Sequence, residues 1–205
     1  MAGGEVRYDR VLGNALYVGG HWMRSKGTLN GHSGSGAEIR SRVFETEAEG
    51  RLGYTFQPCW DFNPLIIPFI GYGHFIEKST YLEPSPLLLQ IRNEFDYFAY
   101  GFITTCTLCD FTFGINFTAK YSINGKSKVT RDPSFNDSTL VMGAKMQYAL
   151  ELPIIYNVHS WDALNASLVP FYRYRHYGEH ENFPFDFMDT QFNIFGIKLM
   201  ITIRC

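Results

Sequence analysis

The stretch at residues 108–123, LCDFTFGINFTAKYSI, decides the fold class because two kinds of side chain alternate along it. From Phe111 to Ile123 the odd positions are almost all aromatic or aliphatic, whereas the even positions from Asp110 to Ser122 are polar or small. A period of two sustained through this whole stretch is the period of a β-strand. The strand it predicts is longer than the usual soluble strand of about 5–6 residues.

The same alternation recurs along the rest of the chain. It is clear at 43–57, 140–154 and 195–203, and weaker at 6–24, 65–78, 88–105 and 164–177, where prolines or glycine pairs blur the facing. Strands can accept proline mainly at their ends, edges and bulges. The pattern predicts eight strands, at about 6–24, 38–57, 65–78, 88–105, 108–123, 139–156, 163–177 and 190–204.

The connections between these segments alternate in length. Long polar stretches occupy 25–37, 79–86, 124–138 and 178–189, and short ones occupy 58–63, 106–108 and 157–162. This alternation is typical of an up-and-down barrel with one long-loop rim and one short-turn rim. We therefore predict one all-β domain over residues 1–205, an eight-stranded antiparallel up-and-down barrel.

The composition restricts the classes of function. The chain has 18 Phe, 13 Tyr and 19 Gly, a mean hydropathy of −0.13 and a formal net charge of −2. That charge does not indicate a nucleic-acid partner. The chain has no stretch of 18 or more uninterrupted apolar residues, so the sequence does not predict a transmembrane helix. Residues 1–7 contain no secretory signal, and we therefore expect Met1 to begin the mature form.

Two all-β interpretations compete, a soluble sandwich or lipocalin-like barrel and a transmembrane barrel. The interior of an eight-stranded barrel is just wide enough for side chains, and the aromatic parities of all strands would overfill it. With the aromatics outside and the small and polar parity inside, the volumes fit. We therefore predict a transmembrane barrel, with aromatic girdles near the strand ends. The residues assigned to these girdles are Tyr54, Phe56, Tyr72, Tyr100, Phe102, Tyr121, Tyr148 and Tyr172.

Segments such as LCDFTFGINFTAKYSI and the terminal IFGIKLMITIRC resemble the small outer-membrane barrels, a class that includes the OmpA transmembrane domain, OmpX and the Ail adhesins. The resemblance is architectural and covers nearly the whole chain. It implies a bacterial outer-membrane location, contact with the lipid bilayer and lipopolysaccharide, and long outer loops that bind a host or envelope protein. It implies no cofactor.

If the polar parity points inward, charged side chains line the interior of the barrel. In a narrow lumen these charges must pair with one another. The paired side chains would form a structural plug that fills the barrel or, alternatively, line a gated ion path. The predicted network contains Glu45, Glu47, Glu49, Arg51, Arg92, Glu94, Asp110, Lys120, Lys145, Glu151, Arg173, Arg175 and Lys198.

The four cysteines all fall at the short-turn rim of this arrangement. Cys59 is in the first short connection, Cys106 and Cys109 flank the second, and Cys205 ends the chain. The periplasm is oxidising, so we expect disulfides among them or to envelope partners, with free thiols as the alternative. The CxxC of Cys106 and Cys109 has no second ligand pair for zinc.

The histidines raise the possibility of catalysis, because some members of the barrel class that this chain resembles modify lipid A. His159 lies beside Ser160 and Asp162, and a second cluster contains His176, Glu179, His180 and Glu181. Adjacent residues of one turn seldom align as nucleophile and base, and the second cluster is typical of a solvated loop. We predict no metal site and no catalytic residue, with a lipid A-modifying enzyme or a narrow pore as alternatives.

Overall fold

A computed structural model describes residues 2–13, 15–32, 36–59, 64–86, 88–132, 136–157, 164–178, 180–181 and 189–203. Within them the chain forms eleven strands of one antiparallel sheet. The strands are β1 (Ala2–Leu12), β2 (Leu16–His32), β3 (Glu38–Tyr54), β4 (Leu65–Leu82), β5 (Gln90–Leu108), β6 (Phe111–Thr130), β7 (Ser138–Val141), β8 (Met146–Glu151), β9 (Ile154–Asn157), β10 (Leu164–Tyr177) and β11 (Thr190–Ile203). The described part has no helix long and apolar enough to cross a bilayer.

The strands follow one another around the sheet in chain order, each antiparallel to the one before. The path is β1-β2-β3-β4-β5-β6-β8-β10-β11, and β7 and β9 also pair with β6. The short strands β7, β8 and β9 therefore occupy a single position, interrupted at 142–145 and at 152–153. Pro153 explains the second interruption, because proline cannot donate a ladder hydrogen bond. The predicted strand at 139–156 is this broken strand.

The predicted number of eight strands is wrong. The segment 6–24 was expected to be one strand, but β1 and β2 form a hairpin in it, with Leu12 paired to Leu16. Gly13 lies in the turn with a φ of 59°, a conformation that glycine adopts without strain. The hairpin adds a strand position, so the described residues occupy nine positions in the sheet.

The strands are also longer than predicted at one edge of the sheet. This upper edge carries the connections 33–37, 83–89, 131–137 and 178–189, and the lower edge carries 13–15, 55–64, 109–110 and 158–163. The predicted loops at 25–37 and 124–138 are largely strand, because β2 continues to His32 and β6 to Thr130. Polar alternation there resembles a loop in composition, although its period is still that of a strand.

The sheet is curled so that one face is enclosed. On β3 the odd positions from Ser41 to Arg51 are buried, whereas Leu52 and Tyr54 on the other parity are exposed. Side chains of distant strands meet on the enclosed face: Arg175 of β10 binds Glu45 of β3, and Lys120 of β6 binds Glu47 of β3. We call the enclosed face inner and the other face outer.

Aromatic rings also occupy the inner face, where only small and polar residues were expected. Phe69, Phe75, Phe95 and Tyr97 are buried. Inner-face glycines make room for such rings: the ring of Tyr97 lies over Gly73, and that of Phe171 over Gly196. The volume argument from the sequence omitted this compensation between glycines and rings.

Because the Tyr97 ring lies against Gly73, we expect a larger side chain at position 73 to destabilise the fold. Replacing Gly73 by valine places its Cβ against the Tyr97 ring and the Ala48 carbonyl, and we expect the free energy of unfolding to fall by about 1–3 kcal/mol. Gly50→Val on the outer face is the control, since a Cβ at Gly50 has no atom within 4 Å. Urea titration of both variants measures the difference, and equal stability would contradict the packing.

Candidate functional site

The centre of the inner face is a cluster built on two glutamates of β3. Glu47 and Glu49 both contact the Lys120 ammonium of β6, at 3.3 Å for Glu49. The Tyr97 hydroxyl of β5 lies within hydrogen-bond distance of both carboxylates, 2.9 Å from Glu47 and 2.8 Å from Glu49, and donates its one proton to either of them. Arg51 pairs with Glu49 and stacks its guanidinium 4.4 Å from the Phe69 ring centroid. Both negative charges are thus balanced by cations within the cluster.

A second cluster lies nearer the upper edge, around Arg175 of β10. Its guanidinium forms a bidentate pair with Glu45 and lies 3.8 Å from Glu77. The hydroxyl of Tyr177 donates to Glu77 at 2.7 Å, and the amide of Asn93 donates to the same carboxylate at 3.2 Å. One buried guanidinium therefore serves two buried carboxylates.

The third cluster joins the two ends of the chain. Lys198 of β11 donates to Glu5 of β1 and to Glu151 of β8, both at 2.6 Å. Arg7 of β1 binds Glu5 at 2.7 Å and Glu151 at 2.9 Å. Because residues 5 and 198 meet, the first and last strands lie at side-chain distance from one another. The described residues contain no backbone ladder between these two strands.

Most residues of the predicted network lie on the inner face. They are Glu45, Glu47, Glu49, Arg51, Lys120, Glu151, Arg173, Arg175 and Lys198. The sequence interpretation missed Glu5, because it began the first strand at residue 6, and Arg7 and Glu77, because the facing of 6–24 and 65–78 was unclear. The alternation Glu5, Arg7, Asp9 against Val6 and Tyr8 was available as a signal.

Four predicted network residues lie elsewhere. Arg92 and Glu94 pair with each other at 2.8 Å on the outer face, since Asn93 and Phe95 take the inner positions of β5. Asp110 is exposed in the turn between β5 and β6. Lys145 lies in the interruption between β7 and β8, 3.5 Å from Asp189. The error at β5 arises because its outer face is itself polar near the upper edge.

One inner-face set has the composition of a metal site. His21, Glu47 and Glu49 bring ligand atoms within 4.8 Å of one another. The Lys120 ammonium already contacts both carboxylates, and His21 binds Glu47 at 3.2 Å. An internal cation therefore takes the place that a metal ion would occupy, and the set fits a role in the ion-pair network.

The outer face has an apolar band over its lower part. Phe98, Tyr100 and Phe102 of β5 are each 40–54% exposed, and the outer positions of β11 from Phe195 to Ile203 reach 66–83%. The residues that the sequence assigned to aromatic girdles all lie on this face: Tyr54, Phe56, Tyr72, Tyr100, Phe102, Tyr121, Tyr148 and Tyr172. The adjacent residues Tyr72, Phe98 and Tyr121 form its highest fully aromatic row.

Polar groups begin directly above that row. His74 Nδ1 lies 2.8 Å from Asp96 Oδ1, and both side chains are on the outer face. At the upper edge, His176 Nε2 lies 2.6 Å from Asp189. Hydrogen bonds from Gln191 and His176 hold the pKa of Asp189 below its usual range.

Of the two histidine clusters weighed as catalytic candidates, only His176, His180 and Glu181 lie among the described residues. His176 binds Asp189, whereas His180 Nδ1 lies 2.7 Å from the carbonyl of Glu181. His159, Ser160, Asp162 and Glu179 lie outside the described residues.

The described cysteines lie at the lower edge, as predicted. Cys59 is in the β3–β4 connection, Cys106 near the end of β5 and Cys109 in the following turn, and no two of these three form a disulfide. Cys205 lies outside the described residues. The expected disulfides, local or intermolecular, stay a prediction.

No protein-family model, curated protein or solved structure matches this chain. The functional assignment therefore depends on the two faces of the sheet.

Proposed function

We propose that this chain is a bacterial outer-membrane barrel that anchors a projecting, upper-edge surface for binding a partner outside the cell. The observation that carries the proposal is the inverted distribution of polarity. The outer face exposes a broad apolar band, whereas the enclosed inner face holds paired ions. A soluble barrel has the opposite arrangement.

The size of the exposed apolar surface supports a lipid environment. Exposed large apolar side chains occur on the outer face of nearly every long strand, from Val6 on β1 to Ile203 on β11. Soluble monomers seldom expose contiguous apolar patches of more than a few hundred Å². Lipid accepts such a band without cost, and aromatic residues are favoured at its borders.

Closure of the barrel is part of the proposal, because a bilayer leaves no water for an open sheet edge. The seam would lie between β1 and β11, where Lys198 bridges Glu5 and Glu151. Because the sheet has nine strand positions and neighbouring strands are antiparallel, β1 and β11 run in the same direction. Single-chain bacterial barrels have even strand numbers, and a mitochondrial barrel has an odd one. The seam is therefore the feature in which this chain departs from the small outer-membrane barrels.

The interior favours a structural plug over a pore. The cavity beside Glu47, Tyr97, Lys120 and Arg175 has a volume of about 20 Å³, and one water needs about 10–15 Å³ on this scale. The charges around it are paired with each other. The interaction role falls instead to β2–β6, which extend beyond the apolar band at the upper edge. Upper-edge segments also carry sequence variation most easily.

The test is the electrophoretic mobility of detergent-refolded protein, boiled and unboiled, with a circular dichroism spectrum of the same sample. A closed barrel resists SDS until it is heated, so we expect a heat-dependent shift together with a β-type spectrum. A protein that stays soluble without detergent and shows no shift would overturn the proposal. The aromatic outer face would then be an interface between proteins.

A further inference from the structure

The outer face carries a belt of cations above the apolar band. It contains Arg24, Lys26, Arg40, Arg42, Lys78, Arg92, Lys126 and Lys128, all exposed. Three triplets in the sequence produce most of it: Arg24-Ser25-Lys26, Arg40-Ser41-Arg42 and Lys126-Ser127-Lys128. In each, the alternation turns the two cations outward and the small serine inward. Ser25 and Ser127 donate hydrogen bonds on the inner face, to Glu45 and Asn93.

The strand register brings four of these cations together in one row. Lys26 pairs with Phe44, Phe44 with Lys78, Lys78 with Arg92, and Arg92 with Lys128. Like charges directly opposite each other on neighbouring strands are destabilising, so Lys78, Arg92 and Lys128 repel one another in the isolated chain. The described residues compensate only part of this charge, through Glu94 beside Arg92 and Asp137 at 4.0 Å from Lys128.

The position of the belt indicates what could neutralise it. It faces sideways, on the same face as the apolar band, and lies above the row of Tyr72, Phe98 and Tyr121. Lys78 is six residues above Tyr72, or about 20 Å along a strand at about 3.3 Å per residue and about 15 Å in height for a strand tilted about 40°. The polar zone of an ordinary phospholipid leaflet is only about 5–8 Å thick. Phosphates carried on a larger sugar headgroup reach this height.

We propose that the belt binds the phosphate groups of a membrane glycolipid whose phosphates are spread over a large sugar headgroup. This inference rests on the proposed function, since only a chain inserted in the membrane presents the belt sideways to lipids. Bound phosphates would remove the repulsion within the Lys26–Lys128 row. The lower cations, Arg24 and Lys126, would meet phosphates nearest the acyl chains, and Arg40 would meet the outermost ones.

The test measures binding of fluorescent rough lipopolysaccharide, which carries phosphorylated sugars, to the full chain refolded in neutral detergent. The test variant combines Lys26→Gln, Lys78→Gln and Lys128→Gln. The control variant combines Arg10→Gln, Arg131→Gln and Lys145→Gln, which removes the same charge outside the belt. We expect at least a tenfold weaker affinity for the test variant, a change within twofold for the control, and a weaker salt dependence for the test variant.

The outcomes separate this inference from the proposed function. If all three proteins show the heat-dependent gel shift but bind the glycolipid equally, the belt inference is wrong and the barrel stands. If wild type shows no shift, the proposed function itself fails. Displacement of the glycolipid by millimolar inorganic phosphate, or equal binding to phosphatidylglycerol vesicles, would overturn the assignment to headgroup phosphates. Binding of heparin without binding of the glycolipid would assign the belt to a soluble polyanion.

Discussion

Replacing Arg175 by methionine is expected to lower the free energy of unfolding by about 3–5 kcal/mol, because it leaves charge uncompensated inside the protein. Arg175 is the shared cation of Glu45 and Glu77, and its guanidinium also lies 4.7 Å from the Phe75 ring centroid. Methionine keeps much of the side-chain volume, so the loss measures the charge and its hydrogen bonds. Urea titration of protein refolded into phosphatidylcholine vesicles gives the value.

Two further variants make this result specific. Arg42→Met removes an outer-face arginine of β3 and is expected to change stability by about 0.5 kcal/mol or less. Adding Glu45→Gln to Arg175→Met removes one of the two orphaned carboxylates and should recover part of the loss, since contacting residues couple by about 0.5–3 kcal/mol. Equal small losses for Arg175→Met and Arg42→Met would mean that the inner cluster contributes nothing to folding.

Alternation, together with the inward placement of the polar parity, was enough to predict the inner face of β3. Each of Glu45, Glu47, Glu49 and Arg51 is buried, because a strand has only two faces and the register of β3 is regular. The partners of these residues were beyond reach of the sequence. Arg175 meets Glu45 across 130 positions of the chain, and only the curl of the sheet decides which strands face each other.

The errors on β2, β5 and β6 have one physical source, which is that facing and loop character were inferred from polarity. At Arg92 and Glu94 the outer face is polar because it has risen above the apolar band, so the polar parity there points outward. The same change of environment made the upper parts of β2 and β6 resemble loops. A period of two persists through Arg24-Ser25-Lys26 and Lys126-Ser127-Lys128, and weighting period above polarity would have extended both strands.

Replacing Ile70 by arginine tests whether the outer face meets lipid. Ile70 lies on β4 between Pro68 and Tyr72 and is 69% exposed. An arginine on the lipid-facing side of a barrel costs about 2–4 kcal/mol near the middle of the bilayer and about 0–1 kcal/mol near its borders. Ile70 lies one row below Tyr72, between the middle and the border of the apolar band. We therefore expect Ile70→Arg to lower the free energy of unfolding in phosphatidylcholine vesicles by about 1–3 kcal/mol.

The matched control is Ile76→Arg, the same substitution on the same strand and the same face. Ile76 lies above the apolar band, paired with Glu94 of β5, so its arginine is close to water and to a carboxylate. We expect its effect to stay below about 1 kcal/mol. If the outer face met water, an arginine at the exposed Ile70 would change stability by no more than about 0.5 kcal/mol. A large loss at Ile70 alone requires an apolar solvent around the lower part of the sheet, whereas small effects at both positions would contradict membrane insertion.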